Sequence, residues 1–146
     1  MKQIAELIEG RPLFHISTGD KVREVAKRMV EWNIGAVAVL ENDHLAGVFS
    51  ERDLMRRVVA QGLDPDSTAV ANVMTRELVV ASPEDDFDDA IRKMHDVGSR
   101  HLPVVEDGKL IGMISLRDLL EIDDAAQRQK ATFLRDLVTY SPDYET

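Results

Sequence analysis

Two segments of the chain carry the same reactive side chains: Gly47-Val48-Phe49-Ser50-Glu51-Arg52-Asp53-Leu54 and Gly112-Met113-Ile114-Ser115-Leu116-Arg117-Asp118-Leu119. In each, a hydroxyl is followed by a guanidinium and then a carboxylate. A carboxylate offers two oxygens and can accept from two hydroxyl groups at once. The guanidinium can donate charge-assisted bonds to an anion, and the serine hydroxyl can join it. The same Ser-x-x-Asp spacing is also that of a capping box, with Asp in place of the usual Glu. One residue can cap a helix and bind a ligand, so both readings stand.

The two segments are the end of a longer repeat. A shift of 65 positions places Ser17 on Ser82, Asp20 on Asp85, Met29 on Met94, Val39 on Val104, Glu41 on Glu106 and Leu45 on Leu110. Gly47, Ser50 and Arg52-Asp53-Leu54 then fall on Gly112, Ser115 and Arg117-Asp118-Leu119, without a gap. A fixed period marks one supersecondary unit used more than once. Two copies are too few for a solenoid and predict a pseudo-symmetric pair, whose grooves are natural ligand sites.

The elements that must position these side chains follow from periodicity. Ser17-Thr18-Gly19-Asp20 and Ser82-Pro83-Glu84-Asp85 predict helix starts, with Pro83 at the first helical position. Val22, Val25, Ala26, Met29 and Val30 form one apolar helix face, and Phe87, Ala90, Ile91 and Met94 form its counterpart. Ala36 to Leu40 and Leu45 to Phe49 predict strands around the turn Glu41 to His44. Leu102 to Val105 and Leu110 to Ile114 repeat the plan around Glu106 to Lys109, where Gly108 can take a positive φ. Ser50 and Ser115 should each start a further helix, the first running to about Gln61 and ending at Gly62. Ile4 to Ile8 and Ala69 to Met74 predict short helical lead-ins. The organisation expected is a first repeat at 1–62, a linker at 63–68, a second repeat at 69–122, and a C-terminal helix and polar tail at 123–146. The helix, Ala125 to Val138, gathers Phe133, Leu134, Leu137 and Val138.

Composition narrows the function classes. The chain has 146 residues, 44% of them hydrophobic and 31% charged, which suits one globular domain or two halves sharing a core. It contains no cysteine, which excludes disulfides, thiolate catalysis and Cys-based metal sites and fits a reducing cytoplasm. The net charge of −9 and the lack of a basic stripe argue against nucleic-acid binding, and only a local Arg and His cluster could hold an anion. No apolar run approaches the ~18 residues of a membrane span, so no membrane partner is expected. No P-loop, Gly-x-Gly-x-x-Gly or supported Ser-His-Asp set appears, and an enzyme is not expected.

Helix, hairpin and helix, twice, each closed by Gly-x-x-Ser-x-Arg-Asp-Leu, resembles the tandem cystathionine-β-synthase (CBS) domain pair over about residues 4–122. Arg100-His101-Leu102-Pro103-Val104-Val105 and Val73-Met74-Thr75 are similar to further family segments. The resemblance implies an α/β (α+β) fold of two β-α-β-β-α repeats packed through their sheets. It implies a regulatory module rather than a catalyst, binding AMP, ADP or ATP between the repeats, with NAD or S-adenosylmethionine ranked behind them. No cofactor is required. It also implies a homodimer whose geometry an effector protein reads.

By this resemblance each pocket is composite. The main pocket would join Ile16, Ser17, Thr18, Ala36 and Val37 with Arg100, His101, Ile111, Ser115, Arg117 and Asp118. The second would join Ala81 and Pro83 with Ala46, Ser50, Arg52 and Asp53. Asp53 and Asp118 would take the ribose hydroxyls. Ser50, Ser115, Arg52 and Arg117 would hold phosphate beside free helix N–H groups. Copy two has Arg100-His101 where copy one has Gly35-Ala36, so the Asp118 pocket is expected to bind phosphate more tightly.

Plainer readings accompany these. Arg100-His101 also fits a surface pair, and Trp32 fits core packing. Glu84 to Asp86 with Asp88-Asp89 fits a solvated helix start better than a metal cluster. His15, His44 and His95 form no metal pattern. A ligand-free assembly module acting through its interface and C-terminal helix is the alternative function.

Overall fold

Residues 2–122 and 131–136 are described by the computed structural model of the chain. In order they form α1 (Ile4–Ile8), β1 (His15–Ser17), α2 (Val22–Trp32), β2 (Ala36–Glu41), β3 (His44–Ser50) and α3 (Glu51–Asp53). A π-helical stretch (Leu54–Val59) and a 3-10 turn (Val70–Asn72) follow, then α4 (Phe87–Val97), β4 (His101–Glu106), β5 (Lys109–Ser115) and α5 (Leu116–Ile122). Residues 131–136 are also helical. Of the helix expected at Ala125 to Val138, residues 125–130 and 137–138 lie outside the described residues, as does the expected tail.

The chain divides into two compact units. The first holds Pro12–Leu78 with Glu106–Gly112, and the second holds Met1–Arg11, Val79–Val105 and Met113–Thr146.

In the first unit β1 lies parallel to β2, and β2 antiparallel to β3. Ala36 to Val39 are all buried, which explains why β2 reads as an unbroken apolar run rather than an alternation. Asn42 and Asp43 both take positive φ, so a two-residue turn joins β2 to β3 with the twist a hairpin needs. Val22, Val25 and Met29 bring one face of α2 onto Ile16, Val37, Val39, Phe49 and Val58. Complete burial of each large side chain contributes about 1.5–3 kcal/mol. Trp32 packs against this core and stacks on Phe14, with ring centroids 4.7 Å apart. It is a packing residue.

The second unit repeats the pairing. Ala81 bridges Val104 in parallel, as Ile16 pairs Val39, and both partners are 65 positions on. In the Glu106–Gly112 segment, which belongs to the first unit, Asp107 and Gly108 take the positive φ values between β4 and β5. Asn33 and Gly98 end α2 and α4 in the same left-handed conformation.

The lead-ins are exchanged between repeats. Ile4 N–H donates to the Asp85 carbonyl at 2.8 Å and Ala5 N–H to that of Pro83 at 2.9 Å, while Phe87 N–H donates to Lys2 at 3.3 Å. Val70 N–H donates likewise to Asp20 at 2.8 Å and Ala71 N–H to Thr18 at 3.2 Å, while Val22 N–H donates to Thr68 at 3.0 Å. The start of the chain therefore completes the second repeat, and the segment after the linker completes the first.

Two expectations change. Neither Ser17 nor Ser82 caps a helix. Asp20 and Asp85 turn back to accept the N–H of Ser17 and Ser82 at 2.9 and 3.0 Å, closing a turn before the helix begins. The α4 cap is Asp86, in a reciprocal box with Asp89, which also places the acidic run at a helix start. The helix after Ser50 is not regular to Gln61: it widens to five-residue bonds, with Ala60 N–H on the Met55 carbonyl at 2.9 Å, before Gly62 at φ +70.

Asp86→Ala should lower stability by about 1 kcal/mol, and Ser82→Ala by clearly less, in paired urea unfolding curves. Gly47 makes a second test, since a Cβ there would lie 2.7 Å from both Met74 Sδ and the Thr75 carbonyl oxygen. Gly47→Ala should cost about 1–3 kcal/mol through overpacking. Gly19→Ala, where a Cβ meets nothing within 4 Å, should leave the urea midpoint nearly unchanged.

Candidate functional site

Both Ser-x-x-Asp segments fold as reciprocal hooks. Asp53 N–H donates to Ser50 Oγ at 3.2 Å, and Ser50 N–H donates to Asp53 Oδ2 at 3.0 Å. Asp118 N–H donates to Ser115 Oγ at 3.1 Å, and Ser115 N–H to Asp118 Oδ2 at 2.9 Å. The capping reading is therefore realised in both copies. Each hook is also tied to the residue just ahead of β2 or β4. Glu51 N–H donates to the Gly35 carbonyl at 3.0 Å, and Leu116 N–H to the Arg100 carbonyl at 2.8 Å. These ties hold each carboxylate where a β-strand ends and a helix starts.

Beyond the hook the two carboxylates differ. The Asp53 side chain is only 10% exposed. Thr75 Oγ1 lies 3.1 Å from its Oδ1 and 3.3 Å from its Oδ2, and Ser50 Oγ donates to Oδ2 at 3.1 Å. Arg57 Nε is 3.6 Å from Oδ1, while its Nη1 donates to the Met74 carbonyl at 2.7 Å. Both oxygens of Asp53 are engaged. Gly47 makes this closure feasible, because only a missing Cβ lets the Thr75 backbone pair with Val48 at 2.9 and 3.0 Å.

Asp118 is more open, with 28% of its side chain exposed. Its Oδ2 also meets Arg11 Nη1 at 3.1 Å. Among the described residues its Oδ1 receives no hydrogen bond. His101 lies within the electrostatic reach of Asp118. Burial holds its pKa below the usual 6.5, the Arg100 charge lowers it further, and Asp118 pulls the other way. The ring is therefore neutral at pH 7, able to donate from one nitrogen and accept at the other.

The structure thus gathers Arg100, His101, Ser115, Arg117 and Asp118 in the second unit, and Ser50, Arg52 and Asp53 in the first. Arg117 is 85% exposed and pairs with Glu121 at 3.4 Å. Ile16, Ala36 and Val37 are buried in the first unit, where Ala46 and Ile111 are half-buried. In that unit Ser17 is exposed and Thr18 donates its N–H to the Leu40 carbonyl at 3.2 Å. Ala81 and Pro83 are buried in the second unit. Thr75, Arg57 and Arg11 complete the carboxylate environments and were not singled out from sequence. Thr75 carried a signal, as the last residue of Val73-Met74-Thr75. Arg11 carried none, since nothing local links it to a residue so far along the chain.

A shallow cavity of about 260 Å³ lies elsewhere in the second unit, lined by Ile91, Arg92, His95, Thr132, Phe133 and Asp136. There Phe133 is buried edge-on against His95, and His95 Nε2 is 3.0 Å from Asp136 Oδ2. Phe133 is thus spent on its own chain. Among the described residues no helix is long and apolar enough to cross a membrane.

Comparison with known proteins agrees with the repeat. The CBS domain family matches residues 4–60 and 70–124. A mitochondrial CBS domain-containing protein of Arabidopsis thaliana is 38% identical over 109 residues, covering 71% of this chain and 53% of its own length. A CBS domain-containing protein of Bacillus subtilis is 36% identical over 104 residues, covering 71% of this chain and 74% of its own length. The chain thus spans about half the length of some relatives. Among solved structures, a protein with CBS domains from Burkholderia ambifaria has a TM-score of 0.79 at 34% identity, covering 86% of this chain and 96% of its own. A CBS domain protein of Pyrobaculum aerophilum, complexed with AMP, has a TM-score of 0.77 at 29% identity, covering 90% of this chain and 99% of its own. With both repeats matched across most of its described length, the chain belongs to the CBS domain family.

Proposed function

We propose that this chain is a regulatory module that binds an adenine nucleotide, with Asp118 as the carboxylate that takes the ribose hydroxyls. The Oδ1 of Asp118, which receives no hydrogen bond among the described residues, carries this reading. A vicinal diol needs acceptor oxygens, and this carboxylate has one available and another shared with an exposed arginine. Ser115, Arg100 and the neutral His101 stand in the same unit and offer donors to a phosphate. The AMP complex of the Pyrobaculum aerophilum relative supports the ligand class. Asp53, by contrast, is filled by Ser50, Thr75 and Arg57, so the second pocket is the weaker one.

The module acts by geometry and not by chemistry. Ligand shifts the balance between two arrangements by its differential affinity for them, and a partner protein in the cytoplasm reads the result. A homodimer is part of this reading. Val30, Met55 and Val59 leave apolar side chains 80%, 55% and 69% exposed in the first unit, and a second copy that covered them would remove that apolar area from water. The same exposed side chains favour the alternative, assembly without a ligand.

Titration calorimetry with AMP, ATP, NAD and S-adenosylmethionine tests the proposal. Binding of AMP or ATP is expected. Asp118→Ala should weaken it about 10-fold to 150-fold, the range of a hydrogen bond to a charged group, and Asp53→Ala should weaken it about threefold at most. No binding across the panel, or equal losses in the two variants, would overturn it. In sedimentation, Met55→Glu with Val59→Glu should convert a dimer to monomer. A species of unchanged mass would remove the dimer.

A further inference from the structure

Each hooked carboxylate meets an arginine, but Arg57 comes to Asp53 from the helix that the hook itself starts, whereas Arg11 comes to Asp118 from the segment after a lead-in. In each unit the segment after a lead-in reaches the hooked carboxylate, but Thr75 delivers a neutral hydroxyl to Asp53 while Arg11 delivers a guanidinium to Asp118. The backbone that carries Arg11 is fixed. α1 is held by the Ile4 and Ala5 bonds, Gly10 turns the chain at φ +76, and Arg11 N–H closes onto the Ile8 carbonyl at 3.1 Å. The side chain beyond it is long and 38% exposed. Arg11 can therefore change partners without moving the main chain.

We infer that Arg11 is a specificity-determining residue that makes the site prefer a phosphorylated nucleoside to the bare nucleoside. The inference rests on the nucleotide reading above. A diol that uses both oxygens of Asp118 must take Oδ2 from Arg11. A bare nucleoside gives the displaced guanidinium nothing in return. A nucleotide brings its own anion, and the guanidinium moves from carboxylate to phosphate, where its planar fork matches the oxygens. The chain carries a net charge of −9, so a local cation that is released on ligand entry also offsets the repulsion of an incoming anion. A partly exposed ion pair is weak enough to be exchanged in this way.

The experiment is titration of AMP and adenosine into the full chain and into Arg11→Ala. The wild type should prefer AMP. Arg11→Ala should bind adenosine two- to fivefold tighter and AMP weaker, so that the AMP-to-adenosine preference falls at least tenfold. A purely structural role would move both ligands together. A preference that stays within twofold of wild type, while AMP still binds and Asp118→Ala still weakens it at least tenfold, overturns the role of Arg11 alone. Wild-type protein that is folded and binds neither ligand overturns the nucleotide reading, and this inference with it.

Discussion

The structure depends on a reciprocal hydrogen-bonded hook between a serine and the aspartate three residues later. Each backbone N–H of the pair is accepted by the other residue's side chain. That exchange stops the strand, starts the helix and pins a carboxylate at the junction, all with two residues. Because a carboxylate has two oxygens and the backbone hook uses only Oδ2, the second oxygen is available for another task. Cap and ligand group are thus compatible demands on one side chain.

What surrounds the hook decides its use. The lead-in exchange brings a different residue to each carboxylate, since the segment that follows residues 68–71 differs from the one that follows residues 2–5. Thr75 and Arg57 close one site around a nearly buried Asp53. At Asp118 the partner is an arginine on a flexible stem, and the outer oxygen stays open among the described residues. Two copies of one motif therefore diverge through residues outside the motif: one is set as a structural clasp and the other as a candidate receptor.

Much of this was legible in the sequence. The apolar face of α2, the unbroken β2 run and the Gly108 turn state their geometry locally, and the shift of 65 converts one reading into two. The helix starts were misplaced because Ser-x-x-Asp describes a closed turn as well as it describes a cap. At Ser17 and Ser82 the carboxylate bonds back to the serine N–H, and the N–H of the third residue on goes to the serine carbonyl at 3.0 Å in both copies rather than to the hydroxyl. Asp86-x-x-Asp89, the true box, is hidden inside an acidic run. The π-helical stretch after Asp53 has no periodic signature over so few residues. Arg11 at Asp118 is a long-range pairing that depends on where α1 docks, which no local pattern encodes.

The most direct measurement is a crystal structure of the chain grown with AMP. The account predicts the ribose hydroxyls within hydrogen-bond distance of both Asp118 oxygens, with Arg11 turned from the carboxylate to the phosphate. A nucleotide seated on Asp53, with Asp118 still paired to Arg11, would contradict it.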